Sequence, residues 1–391
     1  MLSGPFSPWP SFTEEESQAV SRVLLSNKVN YWTGQEGREF EREFATFAGT
    51  DYAIALANGT VALDLALNGL GVGPGDEVIV TSRTFLASAS SIVTAGAIPV
   101  FADVNRDSQN ITSETVAEHV TPRTKAIVAV HLAGWPCEMD GLMALAEEHG
   151  LYVIEDCAQA HGAMYKGKSV GSIGHVGCWS FCQDKIMTTG GEGGMVTTND
   201  RALYKCMWAY KDHGKSWDAV YEREHPPGFR WLHESFGTNW RLTEMQSAIG
   251  RIQLERMPQW GSARQANARR IWAAAKECVG LRVPDIPEHI QHGAYKCYTF
   301  VEPDKLKQGW NRDRIMNEIV GQGVPCFSGS CSEVYREKAF DGTGWRPENP
   351  LPVARELGET SLMFLVHPTL TEAEIDRTCT VLHQVMDKAA D

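Results

Sequence analysis

At 391 residues the chain is too long for one small core and fits two or three domains, or a large domain with an appendage. Apolar residues make up 43% and charged residues 22%, a globular balance that argues against wholesale disorder. A formal net charge of -13 repels phosphate backbones, which argues against a nucleic-acid partner but leaves room for a small anion in a locally positive pocket.

From about Leu56 to Thr198, short β-branched runs alternate with helical patterns. Asn58-Gly59-Thr60 opens the first predicted helix, Val61–Leu70. A Gly-Thr pair there offers free N–H groups, a hydroxyl and the positive end of a helix dipole, which suits a phosphate; a plain N-cap has the same residues. The strand Glu77–Val80 is followed by Thr84-Phe85, an aromatic that stacks on a flat ligand ring or fills the core. Helix Ala87–Ala95, strands Ile98–Phe101 and Ala126–Val130, and helix Met139–His149 come next.

The strand Tyr152–Glu155 runs on as Asp156-Cys-Ala-Gln159-Ala-His161-Gly162. Ligands of parallel sheets sit beyond the carboxyl ends of strands, so Asp156 is placed to hold a protonated ring nitrogen, or to cap the next turn. Gly177–Phe181 leads to Lys185 and then to Thr188-Thr-Gly-Gly-Glu192-Gly-Gly194. Partial burial and a cationic neighbour favour the neutral amine a nucleophilic lysine needs, and the glycines let backbone approach a ligand; a surface-loop lysine is the ordinary alternative. Met195–Thr198 closes the alternation. Strand–helix alternation with continuous apolar strands predicts an α/β fold with a mainly parallel sheet covered on both faces.

Beyond Asp200 the pattern changes. Ala202–Tyr210 reads as a helix, and Asp212 to Thr238 as a long polar and aromatic loop. Its His213, Arg223, Arg230 and Trp231 suit a diphosphate-bearing ligand or simply solvent. Two helices follow, Arg241–Arg256 and Ala263–Glu277, then strand Cys297–Val301, helix Asp313–Ile319 and a last helix at Glu372–Ala389. Loss of strict alternation predicts a smaller C-terminal α+β domain, residues 256–391, beside a large domain of residues 1–255.

No apolar run reaches membrane-span length, and Met1 to Thr13 lacks the basic and apolar regions of a signal peptide, so a cytoplasmic chain without a membrane partner is expected. The ten cysteines form no CxxC pair; they read as small buried residues, with neither a disulfide framework nor a metal site expected.

Phosphate turn, stacking aromatic, strand-end Asp and post-strand Lys occur in the order of a pyridoxal-phosphate (PLP) site. The sequence resembles the DegT/StrS family of sugar aminotransferases, a branch of the fold-type I, aspartate aminotransferase-like PLP enzymes, over nearly the whole chain. The likeness is carried by Trp32-Thr-Gly34 with Glu36, Glu39 and Phe40-Glu41, Asn58-Gly59-Thr60, Gly73-Pro-Gly-Asp-Glu-Val78, Thr84-Phe85, Glu155-Asp156-Cys-Ala-Gln159, Ser180-Phe181, Lys185, Gly191-Glu-Gly-Gly194 and Gly237-Thr-Asn239-Trp-Arg241-Leu-Thr-Glu244.

The resemblance implies a seven-stranded-type sheet between helices and an internal aldimine on Lys185. It also implies Asp156 on the pyridine nitrogen, Gln159 near the ring hydroxyl, Phe85 on the ring face, and Gly59, Thr60 and Ser180 on the phosphate. Asn239 would reach the phosphate of a neighbouring subunit, which implies a homodimer. The implied reaction moves an amino group from an amino acid, glutamate first, through pyridoxamine phosphate to a nucleotide-linked keto sugar. A UDP- or dTDP-linked 4-keto-6-deoxy hexose is expected, for cell-surface polysaccharide such as O-antigen. A PLP-dependent sugar dehydratase of the same fold would carry His in place of Lys185, and a non-catalytic regulator would not need both Asp156 and Lys185. A Rossmann dehydrogenase would need a GxGxxG turn that the chain lacks. Three departures from the family stand out: the stretch from Lys185 to Glu192 is one residue longer, Cys182 stands where many members have His, and Val324–Tyr335 lacks the usual His-Tyr and Pro-Leu-His elements.

Overall fold

The computed structural model describes residues 5–224, 228 and 230–390. Residues 1–4 of the N-terminal stretch, and 225–227 and 229 of the long loop, lie outside the described residues.

Seven strands form the main sheet: β1 (Tyr52–Leu56), β2 (Glu77–Thr81), β3 (Ile98–Ala102), β4 (Thr124–Val130), β5 (Tyr152–Asp156), β6 (Val176–Ser180) and β7 (Gly194–Thr198). Their order is β1-β7-β6-β5-β4-β2-β3. All pairings from β6 through β3 are parallel, while β7 is antiparallel to both β1 and β6. Every residue of β2 and β6 is buried, without the in–out alternation of a strand that has one face in solvent. Helices cover both faces. On one, the helix α1 (Gly59–Gly69) packs Leu63 and Leu67 into a core with Val78, Val128 and Ile154. On the other, Phe40 and Phe44 of the helix Glu36–Ala48 meet Trp179 and Phe181 edge-on or tilted.

A four-stranded antiparallel sheet forms the C-terminal part, in the order Leu281–Arg282, Cys297–Val301, Ser361–Phe364, Cys326–Phe327. The helices Arg312–Gly321 and Glu372–Ala389 supply Ile315, Ile375 and Leu382 to its core. A third, three-stranded sheet pairs Ile290–Gln291 with Met164–Tyr165, which in turn pairs Lys168–Ser169.

Where the sequence predicts two helices, Arg241–Arg256 and Ala263–Glu277, the structure has one 33-residue helix, Glu244–Lys276, with Pro258 inside it. Pro258 forfeits one intrahelical hydrogen bond. The helix carries through because its buried residues serve both parts of the molecule: Met257 and Trp260 pack with Phe181, and Ile271 packs with Leu281 and Phe364. It therefore runs straight across position 255. Helices Glu14–Leu25 and Glu36–Ala48, strand β1, and the short helix Trp217–Tyr221 inside the long loop were not predicted.

The Glu36–Ala48 helix has no side-chain cap of its own. Instead the buried Glu244 carboxylate accepts hydrogen bonds from the N–H groups of Glu36 (2.6 Å) and Gly37 (3.1 Å). A side chain at Gly34 would overlap that carboxylate. Two motifs some 200 residues apart thus meet as one capping device.

Three buried histidines set an acid limit on the fold. Burial pushes His161 and His292 down to about 3 and His367 to about 4; cations near His161 and His367 add to the effect. Unfolded imidazoles titrate near 6.5, so this stability is fully present above that pH and is lost as pH falls toward the folded values. The three together are expected to remove up to about 4 kcal/mol per pH unit between roughly pH 6 and 4. Urea unfolding at pH 7, 6 and 5 measures the slope; a flat profile over that range would contradict it, and His292→Gln should lower the slope by about one proton.

Candidate active site

Because only β7 runs against the others, the carboxyl ends of β1, β2, β4, β5 and β6 open on one edge of the sheet. Asn58-Gly59-Thr60 follows β1, Thr84-Phe85 follows β2, Asp156 ends β5, Ser180 ends β6, and Lys185 lies between β6 and β7. Ligands of open α/β sheets bind at this edge.

Asn58 caps α1 through its Oδ1, which accepts from the Val61 N–H at 3.0 Å. Gly59 and the exposed Thr60 form the first turn, with their N–H groups facing outward along the dipole. A methyl at Gly59 would lie 2.6 Å from the Cβ of Ser180, so the absence of a side chain lets this turn press against the end of β6. Gly194 is constrained alike: an added Cβ would fall 2.3 Å from the Asn58 carbonyl oxygen.

Asp156 is 6% exposed. Its Oδ2 accepts from the Ser88 hydroxyl at 2.7 Å and its Oδ1 from the Ala158 N–H at 3.1 Å; Ser88 in turn meets Thr84 Oγ1 at 2.8 Å. Burial pushes the carboxyl above the ordinary aspartate value, and these hydrogen bonds and the Lys185 charge only partly offset it. Such a carboxylate calls for a cationic partner. Phe85, immediately beyond, leaves 71% of its surface exposed. Gln159 accepts from the Ala133 N–H at 2.8 Å through Oε1, which leaves its amide N–H₂ to donate.

Lys185 is half-buried, with Nζ 3.7 Å from Asp184 Oδ1 and 5.4 Å from the Tyr295 ring centre. Trp9 Nε1 holds its backbone carbonyl at 2.8 Å. The glycine-rich stretch folds back on the strand end: Phe181 N–H donates to the Gly193 carbonyl (2.8 Å) and Thr188 Oγ1 to the Phe181 carbonyl (2.9 Å). Gly190 and Gly191 take φ of 88° and 124°, a region that side chains resist. Among the described residues no hydrogen bond joins Asn239 to this group; it is exposed and pairs through its backbone with Asp212.

Sequence reasoning missed Ser88, Trp9, Asp184 and Tyr295. Ser88 lies on the helix Ala87–Thr94 and Thr84 in the bend before it, so no helical spacing linked the two hydroxyls in the sequence. The neighbouring trio His131, Glu155 and Cys157 has metal-like spacing, but its atoms are already engaged. Glu155 accepts from Gly171, Ile173 and Gly174 N–H groups and bonds His131 Nε2 at 2.9 Å, while His131 Nδ1 accepts from Cys137 N–H. Burial raises the Glu155 carboxyl, yet these bonds outweigh it and hold the carboxyl below its usual range. The trio anchors the end of β5.

A model of the DegT/DnrJ/EryC1/StrS aminotransferase family matches residues 10–383. The chain belongs to this family. It is 36% identical over 387 residues to the UDP-N-acetyl-3-dehydro-alpha-D-glucosamine 3-aminotransferase of Acidithiobacillus ferrooxidans, covering 98% of this chain and 96% of that one. It superposes on the X-ray structure of an aminotransferase from Psychrobacter cryohalolentis with a TM-score of 0.96 at 65% identity, covering 98% and 99% of the two chains. At 24% identity and a TM-score of 0.87, covering 98% of this chain and 100% of the other, it shares its fold with the GDP-4-keto-6-deoxy-D-mannose-3-dehydratase of E. coli.

Family membership makes the chain a PLP-dependent aminotransferase, and the residues present fit that cofactor. A buried carboxylate lacks a full countercharge, an aromatic face stands open, a helix N-terminus is free of side chains at Gly59, and an amine lies within electrostatic reach of the carboxylate. The divergent stretch Val324–Tyr335 docks beside them. The Thr84 N–H donates to the Cys331 carbonyl at 3.1 Å, and the Val334 N–H to the Ser82 carbonyl at 2.9 Å, directly ahead of Phe85. Gly329, at φ 86°, lies so close over the Tyr298 ring that a side chain would clash with it.

Proposed function

We propose that the chain transfers an amino group from an amino acid, glutamate first, to a keto sugar carried on a nucleoside diphosphate. The observation that carries this reading is a half-buried Lys185 within electrostatic reach of the under-compensated carboxylate of Asp156 at the carboxyl edge of the sheet.

Bound PLP supplies an electron sink for negative charge that develops on the reacting carbon. Asp156, its two oxygens oriented by Ser88 and Ala158, would keep a proton on the ring nitrogen. Gly59, Thr60 and Ser180 would hold the phosphate, Phe85 would offer its face to the ring, and Gln159 would lie near the ring hydroxyl. The Lys185 amine takes the α-proton from the donor and returns it one atom away, then reverses that role on the sugar carbon.

In this reading Asn239 completes the phosphate site of a second subunit in a homodimer. Support comes from the exposure around it: Phe236 is 97% and Trp231 84% exposed, surfaces that a lone chain leaves wet at a cost. No helix among the described residues is long and apolar enough to cross a membrane, which is consistent with work in the cytoplasm on precursors of surface polysaccharide. The dehydratase likeness is one of fold, and Lys185 stands where those relatives carry His.

A panel of nucleotide-linked keto sugars, incubated with the PLP-loaded protein and ¹⁵N-glutamate, tests the proposal by mass spectrometry. The label is expected in an amino sugar. UDP- and dTDP-linked 4-keto-6-deoxy hexoses come first, and a UDP-linked 3-keto N-acetylhexosamine second, because the A. ferrooxidans relative is named for that class. Label in none of them, with sugar water lost instead, would favour the dehydratase.

A further inference from the structure

The wall beside Lys185 holds more positive charge than the fold itself uses. A cavity of about 370 Å³ there is lined by Trp9, Asp184, Arg264, Lys296 and His367, with Phe6 and Phe327 among its apolar walls. Arg264, on the buried side of the long helix Glu244–Lys276, is 1% exposed. Its Nη1 donates to the Tyr295 carbonyl at 3.4 Å, and its guanidinium lies 4.9 Å from the Trp9 ring centre. Its Nε and Nη2 have no hydrogen-bond partner among the described residues. These two N–H groups share one edge of the guanidinium, the edge that matches both oxygens of a carboxylate.

The other charges of the cavity do not explain them. The ammonium of Lys296 lies 4.8 Å from the Tyr295 ring centre. Burial lowers Arg264 to about 9 and Lys296 to about 8, with Asp184 pulling both back up. His367 is kept neutral, down at about 4. Asp184 is the one carboxylate lining the cavity, and it already accepts from the Tyr295 hydroxyl at 2.5 Å and faces Lys185. An unpaired buried guanidinium is costly, and an anion that pairs it recovers that cost. The cavity adjoins the reacting amine: Trp9 bonds the Lys185 carbonyl, and the Tyr295 ring lies under Lys185 Nζ. Its size suits a small organic acid better than a nucleoside diphosphate.

We propose that this cavity is the carboxylate subsite for the amino donor, in which Arg264 grips both oxygens of one carboxylate through Nε and Nη2 and Lys296 adds a second positive charge. The proposal rests on the aminotransferase reading above.

The test uses PLP-loaded protein and two readouts. Calorimetric titration with glutarate, a dicarboxylate without an amine, and with UDP reports binding. Stopped-flow absorbance with glutamate reports the donor half-reaction. Arg264→Met is expected to weaken glutarate binding and raise the apparent Kd for glutamate by about 10- to 100-fold, and Lys296→Met by a few-fold, the range for hydrogen bonds to a charged group. UDP affinity should stay at the wild-type value, and the melting temperature of Arg264→Met should hold or rise, because an uncompensated charge has been removed. Unchanged glutarate affinity in both variants would overturn the subsite, as would loss of UDP affinity with glutarate intact, which assigns the cations to the diphosphate. If Arg264→Met does not fold, Arg264→Lys and Lys296→Met decide by the same titrations. A wild-type absorbance indifferent to every amino acid would instead overturn the aminotransferase reading, whereas a wild-type response that the variants share at equal Kd removes only the subsite.

Discussion

Lys185→Ala is expected to lower transamination by ~10⁴-fold or more, because one side chain both carries the covalent attachment and moves the proton. The substitution leaves the surrounding scaffold in place: Trp9 holds the backbone carbonyl of residue 185, not its side chain, and the glycine turn closes on Phe181. Rate alone does not identify the amine. Borohydride reduction followed by peptide mapping does, since it fixes the cofactor to whichever lysine holds it. In the wild type the added mass is expected on the peptide containing Lys185, and in Lys185→Ala on none. The rival is Lys296, whose pKa burial lowers to about 8 and whose ammonium lies 4.8 Å from the Tyr295 ring centre. Mass found on Lys296, or turnover within tenfold of wild type, would remove Lys185 from the mechanism.

Asp156→Asn should cost about 3–5 kcal/mol of transition-state stabilisation, or ~10²–10⁴-fold in kcat, the range for taking one charge from a buried pair. The amide is nearly isosteric: its oxygen can accept from the Ala158 N–H while its N–H₂ donates to the Ser88 hydroxyl, so the loss reports charge rather than shape. Stability separates this from a structural role. In the cofactor-free protein burial raises the Asp156 pKa, so its contribution to stability is full below the ordinary aspartate range and is lost as pH rises through the raised value. Cofactor-free Asp156→Asn is therefore expected to melt above the wild type at pH 7, while the stabilisation gained on adding PLP shrinks. A variant that melts lower without cofactor and keeps wild-type kcat would mean that Asp156 is only a turn cap.

Much of this site was legible because its signals are local. The acidic pair ending Tyr152–Asp156, the lysine after Ser180 and the small turn at Gly59 each sit within a few residues of a strand end, and strand ends follow from apolar runs. What lies across the chain was not legible. The gap between the predicted helices Arg241–Arg256 and Ala263–Glu277 contains Pro258 and Gly261, residues of low helix propensity, and that propensity lost to a helix buried against two cores. Ser88 gave no local reason to face Asp156, 68 residues away.

The order of chemical groups along the strand ends was determined by the sequence alone, since periodicity and turn chemistry act between neighbours; the family and the cofactor class followed from the resemblance those motifs carry. Tertiary structure alone decided that Glu244 caps the helix at Glu36, that the Val324–Tyr335 loop is pinned to Ser82–Thr84, and that Arg264 keeps two donors unpaired. Burial and charge balance are sums over residues brought together from the whole chain, and no local window of sequence contains that sum.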